Sequence, residues 1–255
     1  MTGQLMAVQG PHARAVADLR LGLWAMAGAD PADPWSVPAP QEGPLVARPI
    51  RVARLPIPGA SAEVKSALDT AARWLADAGY AVEDAPADAP TIDAAAENWR
   101  ILVGNEWRLL SVGDIEKYGD DKVRNVVRAM AELIEPIDFA GYLKALAHRT
   151  WILRGWQLFL ERYPIVLCPV SDVPPLPPAS DQGGKAAMEK LMRVNRWQYG
   201  FNGVGLPGLA APVAVNGRTP VGVQLVAARF REDLLFDAAD VLEARAGRFT
   251  PIEPS

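Results

Sequence analysis

Apolar and polar positions alternate at strand spacing in the last quarter of the chain. Residues 211–215 and 221–227 form two short apolar runs that predict neighbouring strands. Between them, Asn216, Gly217 and Pro220 favour a tight connection, so the pair is predicted to be a hairpin. Residues that interrupt helices precede the first strand and predict a loop there: Gly203, Gly205, Pro207 and Gly208.

Other segments carry apolar residues at every third or fourth position, the spacing of one helix face. This pattern predicts helices over residues 11–29, 62–78 and 232–246. Ser61 and Gly79 supply a start signal and a stop signal for the second of these helices.

Short alternating segments at residues 50–55 and 80–82 flank the helix over residues 62–78 and predict strands. A strand, a helix and a strand at this spacing are typical of a parallel crossover unit. Residues 165–167 predict a further strand. The sequence therefore predicts an α/β fold, a mixed β-sheet flanked by helices. No repeat or long polar linker divides the chain, so residues 1–255 are expected to form a single domain.

Residues 91–163 have a helical pattern with breaks near residues 113–119 and at Pro136. This region is rich in aromatic side chains. One interpretation is packing between helices, because large aromatic side chains bury much apolar area. The other is the wall of a substrate pocket. The candidate substrate-binding residues are Trp99, Trp107, Tyr142, Trp151 and Trp156.

Three motifs of the chain resemble segments of the amidase signature family, in the same order. Residues 10–19 read Gly-Pro-His-Ala-Arg-Ala-Val-Ala-Asp-Leu, and residues 163–169 read Tyr-Pro-Ile-Val-Leu-Cys-Pro. Residues 202–207 read Asn-Gly-Val-Gly-Leu-Pro, and residues 220–226 complete the third motif with Pro-Val-Gly-Val-Gln-Leu-Val. We assign no catalytic role to the residues that match the family pattern there, since loop geometry and strand pairing account for them: Asn202, Gly205, Pro207 and Gln224.

The resemblance implies a catalytic apparatus that these residues do not contain. Family members use a Ser-Ser-Lys triad, made of a lysine, a Gly-Ser-Ser-Gly-Gly loop and a Gly-Gly-Ser-x-Arg loop, all before the Gly-Pro-x-Ala-Arg segment. Here that segment begins at Gly10, and none of the 21 glycines is followed by serine. The expectation is the C-terminal half of an amidase without its triad. The complete protein would hydrolyse carboxamides, and this chain alone would be inactive.

Composition narrows the classes of partner. A net charge of -4 and a pI near 5.3 argue against a nucleic-acid-binding surface, which needs clustered basic residues. One cysteine excludes an intramolecular disulfide framework, and with only two histidines a structural zinc site is not expected. No cofactor is implied. The chain starts with no signal-peptide pattern and has no run of roughly 18 apolar residues, so a cytoplasmic location is predicted.

Several side chains suggest chemistry and also have a structural interpretation. Cys168 ends a predicted strand, where it is either a thiol nucleophile or an inert buried residue. His12, at a predicted helix entrance, and His148, within a helix, are the possible imidazole bases. Ser61 and Lys65 lie four residues apart, but Ser61 is well placed as a helix cap and Lys65 as a solvated cation.

Charged residues near the middle of the second half permit no defined site. Basic residues recur along one predicted long helix, where a solvated face is favoured over an anion site: Lys185, Lys190, Arg193 and Arg196. Gly183 and Gly184 before Lys185 lack the remaining residues of a phosphate loop. Three acidic residues show no metal-ligand spacing: Asp172, Asp181 and Glu189.

Two classes of function remain open. In the first, the chain is the C-terminal portion of an amidase and supplies scaffold and substrate wall. In the second, it is a stand-alone, non-catalytic amidase-like binding protein or one subunit of a split amidase. The expected partners are a small-molecule amide in the complete enzyme, a separate N-terminal half, or a second copy through exposed apolar surface. No nucleic acid or membrane is expected, and the amide itself stays open.

Overall fold

A computed structural model of the chain describes residues 1–216 and 219–247. Its helices are α1 (Thr2–Met6), α2 (Val16–Met26), α3 (Ala62–Asp77), α4 (Ile92–Leu110), α5 (Val112–Tyr118), α6 (Asp121–Ala131), α7 (Phe139–Arg162), α8 (Gly184–Val194), α9 (Arg196–Val204) and α10 (Glu232–Ala246). Its strands are β1 (Arg51–Arg54), β2 (Ala81–Asp84), β3 (Ile165–Pro169), β4 (Gly208–Asn216) and β5 (Thr219–Ala227).

The chain forms two compact units. The helical unit consists of residues 1–7, 90–156 and 175–205. The sheet unit consists of residues 8–89, 157–174 and the described residues from 206 onward. All five strands lie in the sheet unit, together with α2, α3 and α10.

The five strands of the sheet unit form one mixed sheet in the order β2-β1-β3-β5-β4. β1 pairs in parallel with both β2 and β3, and β5 pairs antiparallel with β3 and β4. Helices of the same unit pack against the sheet. The predicted α/β fold, a mixed sheet flanked by helices, is therefore confirmed.

The first crossover follows the pattern that the sequence predicts. β1 leads through α3 into β2, and the two strands are parallel, with Val52 opposite Val82. The Ser61 hydroxyl accepts a hydrogen bond from the Val64 N–H at 3.3 Å and so caps the start of α3. The buried face of α3 repeats every three or four residues: Val64, Ala67, Leu68, Ala71, Ala72 and Leu75.

The core of the sheet unit forms where inward side chains of the strands meet two helices. Ile165 and Leu167 of β3 are fully buried, as are Leu225 of β5 and Leu242 of α10. β3 is buried at every residue because it has a strand on each side and covered faces. Burying each such side chain contributes about 1.5 to 3 kcal/mol to the free energy of folding.

The first predicted helix is shorter than the sequence pattern indicates. Residues 11–29 were expected to be helical, with Pro11 at the entrance, but α2 begins at Val16 after an extended Ala15. The Val16 N–H donates to the Glu243 carboxylate of α10 at 3.3 Å, so a distant side chain satisfies the first helical N–H. His12 accordingly lies before the helix and not at its entrance.

Part of the predicted loop before β4 is helical. α9 continues through Gly203 to Val204 and ends at Gly205, whose φ of 72° lies in the left-handed region. A Cβ on Gly203 would lie 3.0 Å from the Cβ of Trp99, so this glycine permits close packing between α9 and α4. The glycine that suggested a loop is a packing residue. The single long helix predicted over the basic residues is also wrong, because α8 and α9 are separated at Asn195.

The hairpin prediction is confirmed by the antiparallel pairing of β4 with β5, in which Ala211 faces Val223. Its predicted turn residue Gly217 lies outside the described residues. The closing helix is observed over the predicted residues, as α10. In the described portions of the chain, no helix has the length and apolar character that crossing a membrane requires.

Glu106 on α4 is a partly buried carboxylate within the helical unit. Its carboxylate accepts hydrogen bonds from the Thr2 N–H, from the Thr2 hydroxyl at 2.6 Å, and from the Tyr142 hydroxyl. Burial by itself would raise the pKa of Glu106, but these hydrogen bonds outweigh it and lower the pKa from 4.5 to about 2. Burial and the bond to Glu106 raise the pKa of Tyr142.

We expect Glu106→Gln to lower the free energy of unfolding by about 1 to 3 kcal/mol at pH 7, because the ionised carboxylate is the stronger acceptor. A carboxyl group whose pKa is lowered in the folded state contributes stability above its unfolded pKa. That contribution is lost as the pH falls through the folded pKa, here from 4.5 towards about 2. Urea unfolding of both proteins at pH 7 and pH 3 measures the difference, which should shrink at pH 3.

Glu97→Gln is the matched control on the same helix. Glu97 pairs with Arg100 at the surface, where its side chain is 53% exposed, so its loss should cost less than about 0.5 kcal/mol. A Glu106→Gln deficit as large at pH 3 as at pH 7 would show that the carboxylate charge does not provide this stability.

Candidate functional site

The carboxyl ends of the parallel strands form the most favourable place for a ligand in the sheet unit. From β1 the chain crosses through α3 to β2 on one side, while β3 lies on the other side. Ligands of open α/β sheets bind at such a change of direction, outside the carboxyl ends of the strands. The loops that follow β1 and β3 are joined by two hydrogen bonds, from Leu55 N–H to Leu167 O at 3.0 Å and from Ser61 N–H to Asp172 O at 2.8 Å.

A cleft of about 450 Å³ opens beside these loops, at the ends of β1 and β2. Four charged residues line it: Arg54, Lys65, Asp69 and Asp84. The Arg54 guanidinium donates to Asp84 at 2.8 Å and to Asp69 at 2.6 Å, so its charge is already shared between two carboxylates. The cleft can hold a polar ligand by hydrogen bonds, but it has no concentrated charge of one sign.

The Ser61 and Lys65 pair does not form a nucleophile and base. The Ser61 hydroxyl caps α3, and Lys65 lies exposed one turn later at the edge of the cleft. Within residues 1–216 and 219–247, no nucleophilic side chain donates a hydrogen bond to a lysine or histidine. Over the same residues no group of three or more histidine, cysteine or acidic side chains could hold a metal ion.

Cys168 occupies the interior of the sheet. The residue is fully buried in β3, opposite Gln224, and its Sγ lies 3.6 Å from the Gln224 carbonyl oxygen. Burial raises the pKa of the thiol well above its ordinary value, which disfavours the reactive thiolate. Of the two interpretations of Cys168, the structure favours the inert small residue over the nucleophile.

The two histidines lie at the surface. His12 belongs to the segment before α2, and His148 lies on α7, where its ring faces Trp151 at a centroid distance of 6.0 Å. The basic residues predicted to share one helix are divided between α8 and α9. Of these, Arg196 pairs with Asp93 at 3.1 Å, and Lys190 is exposed.

The five aromatic candidates are distributed over different parts of the helical unit. Trp99 and Tyr142 belong to one small apolar cluster around Leu102. Trp156 is fully buried and meets Phe201 edge-on, with ring centroids 5.1 Å apart.

Trp151 points outward and is 72% exposed, and Trp107 is partly buried. Trp99 also stacks on Tyr199 at 4.5 Å, a neighbour that the sequence did not suggest. Trp99 and Tyr142 are thus brought together, while Trp151 and Trp156 occupy separate surroundings.

Comparison with known proteins gives the family. The family model described as Amidase matches residues 2–236. The indoleacetamide hydrolase of Bradyrhizobium japonicum is 38% identical over 251 residues, which cover 97% of this chain and 54% of that protein. A subunit of the glutamyl-tRNA(Gln) amidotransferase of a Bradyrhizobium species is 29% identical, over 95% of this chain and 55% of that protein. The chain thus spans about half the length of the curated relatives it matches.

Solved structures agree in fold. The structure of 6-aminohexanoate cyclic dimer hydrolase complexed with substrate superposes with a TM-score of 0.66. It is 20% identical in sequence and covers 92% of this chain and 54% of that chain. The family match, the sequence relatives and the mixed sheet lead to the same conclusion: the chain belongs to the amidase family.

Proposed function

We propose that the chain is the C-terminal portion of an amidase-type hydrolase that cleaves the carbon-nitrogen bond of carboxamides. The observation that carries this proposal is one of coverage. Identity of 38% extends over 97% of this chain but over only 54% of the indoleacetamide hydrolase. The remaining part of the complete enzyme would supply the lysine and the two serine loops of the Ser-Ser-Lys triad.

In the complete enzyme, the serine oxygen bonds to the amide carbonyl carbon, and the carbon-nitrogen bond breaks as a proton passes to the leaving amine or ammonia. Water then hydrolyses the acyl-serine ester to the carboxylic acid and restores the hydroxyl. This chain would contribute scaffold and substrate wall. We propose that its two units belong to one partial amidase domain of residues 1–255.

We propose an aryl acetamide such as indoleacetamide as substrate. The supporting observations are the name of the 38% identical relative and the aromatic pair of Trp99 and Tyr199 in the helical unit. An indole ring packs favourably against aromatic side chains. Of the aromatic candidates, Trp99 and Tyr142 fit this role best, because they share one cluster and are only partly buried. Trp107, Trp151 and Trp156 remain predictions.

The relationship to one component of an amidotransferase supports a second form of the same proposal. In that form the chain is one subunit of a split amidase, and a separate polypeptide carries the triad. Self-association would be the result if the surface meant for the other half stayed uncovered.

We expect the chain alone to release no ammonia from indoleacetamide, because loss of an activated nucleophile lowers the rate by on the order of a millionfold. Adding the part of the Bradyrhizobium japonicum hydrolase that this chain does not match should restore hydrolysis. Ammonia release measures both reactions, and that part alone is the control. Turnover by the chain alone would contradict the proposal.

In the restored enzyme, Trp99→Ala should raise KM for indoleacetamide by about tenfold, since an aromatic contact contributes about 0.5 to 1.5 kcal/mol. KM for acetamide should stay nearly constant, because acetamide has no ring to pack on Trp99. Trp151→Ala is the control, as that side chain points outward. An equal rise in KM for both amides would indicate a structural effect of Trp99 and no contact with the ring.

Alkylation with iodoacetamide should leave the restored activity unchanged, because burial keeps the Cys168 thiol protonated and out of reach. Mass spectrometry of the folded chain should find Cys168 unmodified, and the same treatment in urea should modify it. Rapid alkylation of the folded chain with loss of activity would support the thiol as nucleophile.

A further inference from the structure

β4 is the last strand of the sheet on its side. β5 pairs with one side of β4 along Gly208–Asn216, and among the described residues no strand pairs with the other side. A strand edge presents unpaired N–H and C=O groups, which are a template for a further strand.

The sequence of β4 lacks the usual protection of an exposed edge. Gly208–Asn216 contains no charged residue, whereas the opposite edge strand β2 carries Glu83 and Asp84. Lysine and other charged side chains commonly keep strand edges from pairing. Pro212 offers no N–H, and the register is irregular between Pro212 and Ala214. The open part of the edge is therefore the stretch 208–211.

A cavity of about 200 Å³ adjoins this stretch. Its walls include small side chains from three parts of the sheet unit: Ala13, Ala15, Ala210, Ala211 and Ala239. Glu243 at its margin is bonded to the Val16 N–H, so one carboxylate oxygen is already used. Small apolar walls leave room for one large apolar side chain, which a strand placed along β4 would direct toward this face.

We propose that the β4 edge at residues 208–211 receives a sixth strand and that the adjoining cavity receives a large aliphatic or aromatic side chain of that strand. The strand comes from the part of the complete amidase that this chain does not match, so the inference rests on the proposed function. The relatives are about twice as long as the matched region, which leaves ample chain to supply it. Main-chain hydrogen bonds give affinity in this mode of binding, and the cavity gives specificity.

Hydrogen-deuterium exchange tests this placement. The chain is measured alone and then mixed with the unmatched part of the Bradyrhizobium japonicum hydrolase, while ammonia release from indoleacetamide is followed in the same samples. We expect amides of residues 208–211 to become protected in the mixture. Amides of β2, the opposite edge, serve as the internal control and should keep their exchange rates.

Two variants test the edge and the cavity separately. Ala210→Lys adds a charge to the edge and should weaken association with the added part by at least about tenfold. Ala81→Lys, on the opposite edge strand β2, should change it by less than about twofold. Ala13→Trp should weaken association by filling the cavity, since Ala13 is exposed and its replacement leaves the core intact. Thermal melts confirm that each variant is folded.

The outcomes separate the two proposals. Protection at residues 208–211 together with hydrolysis supports both. Hydrolysis without that protection, or association that Ala210→Lys and Ala13→Trp leave unchanged, overturns the edge and keeps the amidase function. Protection without hydrolysis keeps the edge and overturns the function. Neither protection nor hydrolysis overturns both.

Discussion

The sheet unit depends on the hydrogen bonding of β3 on both of its sides. β3 pairs in parallel with β1 and antiparallel with β5, so it joins the crossover formed by β1, α3 and β2 to the hairpin formed by β4 and β5. Every residue of β3 is buried, including Cys168 and Pro169. An exposed polar side chain would have no place on this strand. The same burial that holds the sheet together accounts for the inertness of the single thiol.

Much of the fold could be predicted because the signals that specify it are local. The α3 helix begins at a serine cap and repeats its apolar face, and both signals stand within its own residues. Errors arose where a distant residue decides. The start of α2 depends on Glu243, and Gly203 is helical because Trp99 packs against it. Neither partner can be identified from the neighbouring sequence.

Less of the candidate site could be predicted, for a related physical reason. The aromatic residues were identified by type, but their grouping depends on which helix faces meet. Trp99 and Tyr142 meet in one cluster, whereas Trp151 faces outward. Glu106 gave no signal at all, because the Thr2 and Tyr142 groups that surround it come from distant parts of the chain. Chemistry that one residue type reveals was found, and chemistry that needs several converging residues was not.

The pairing of β3 also determines how this unit folds. Val52 lies opposite Ile165, more than a hundred residues later, and Ile165 in turn lies opposite Ala227. Pairings between such distant residues form slowly, since a long loop must close before any contact compensates for its lost entropy. During synthesis, β1 must wait for β3, and β3 must wait for β5 to leave the ribosome. We therefore expect the sheet to assemble only after nearly the whole chain has been made, and its apolar strands to need protection from aggregation until then.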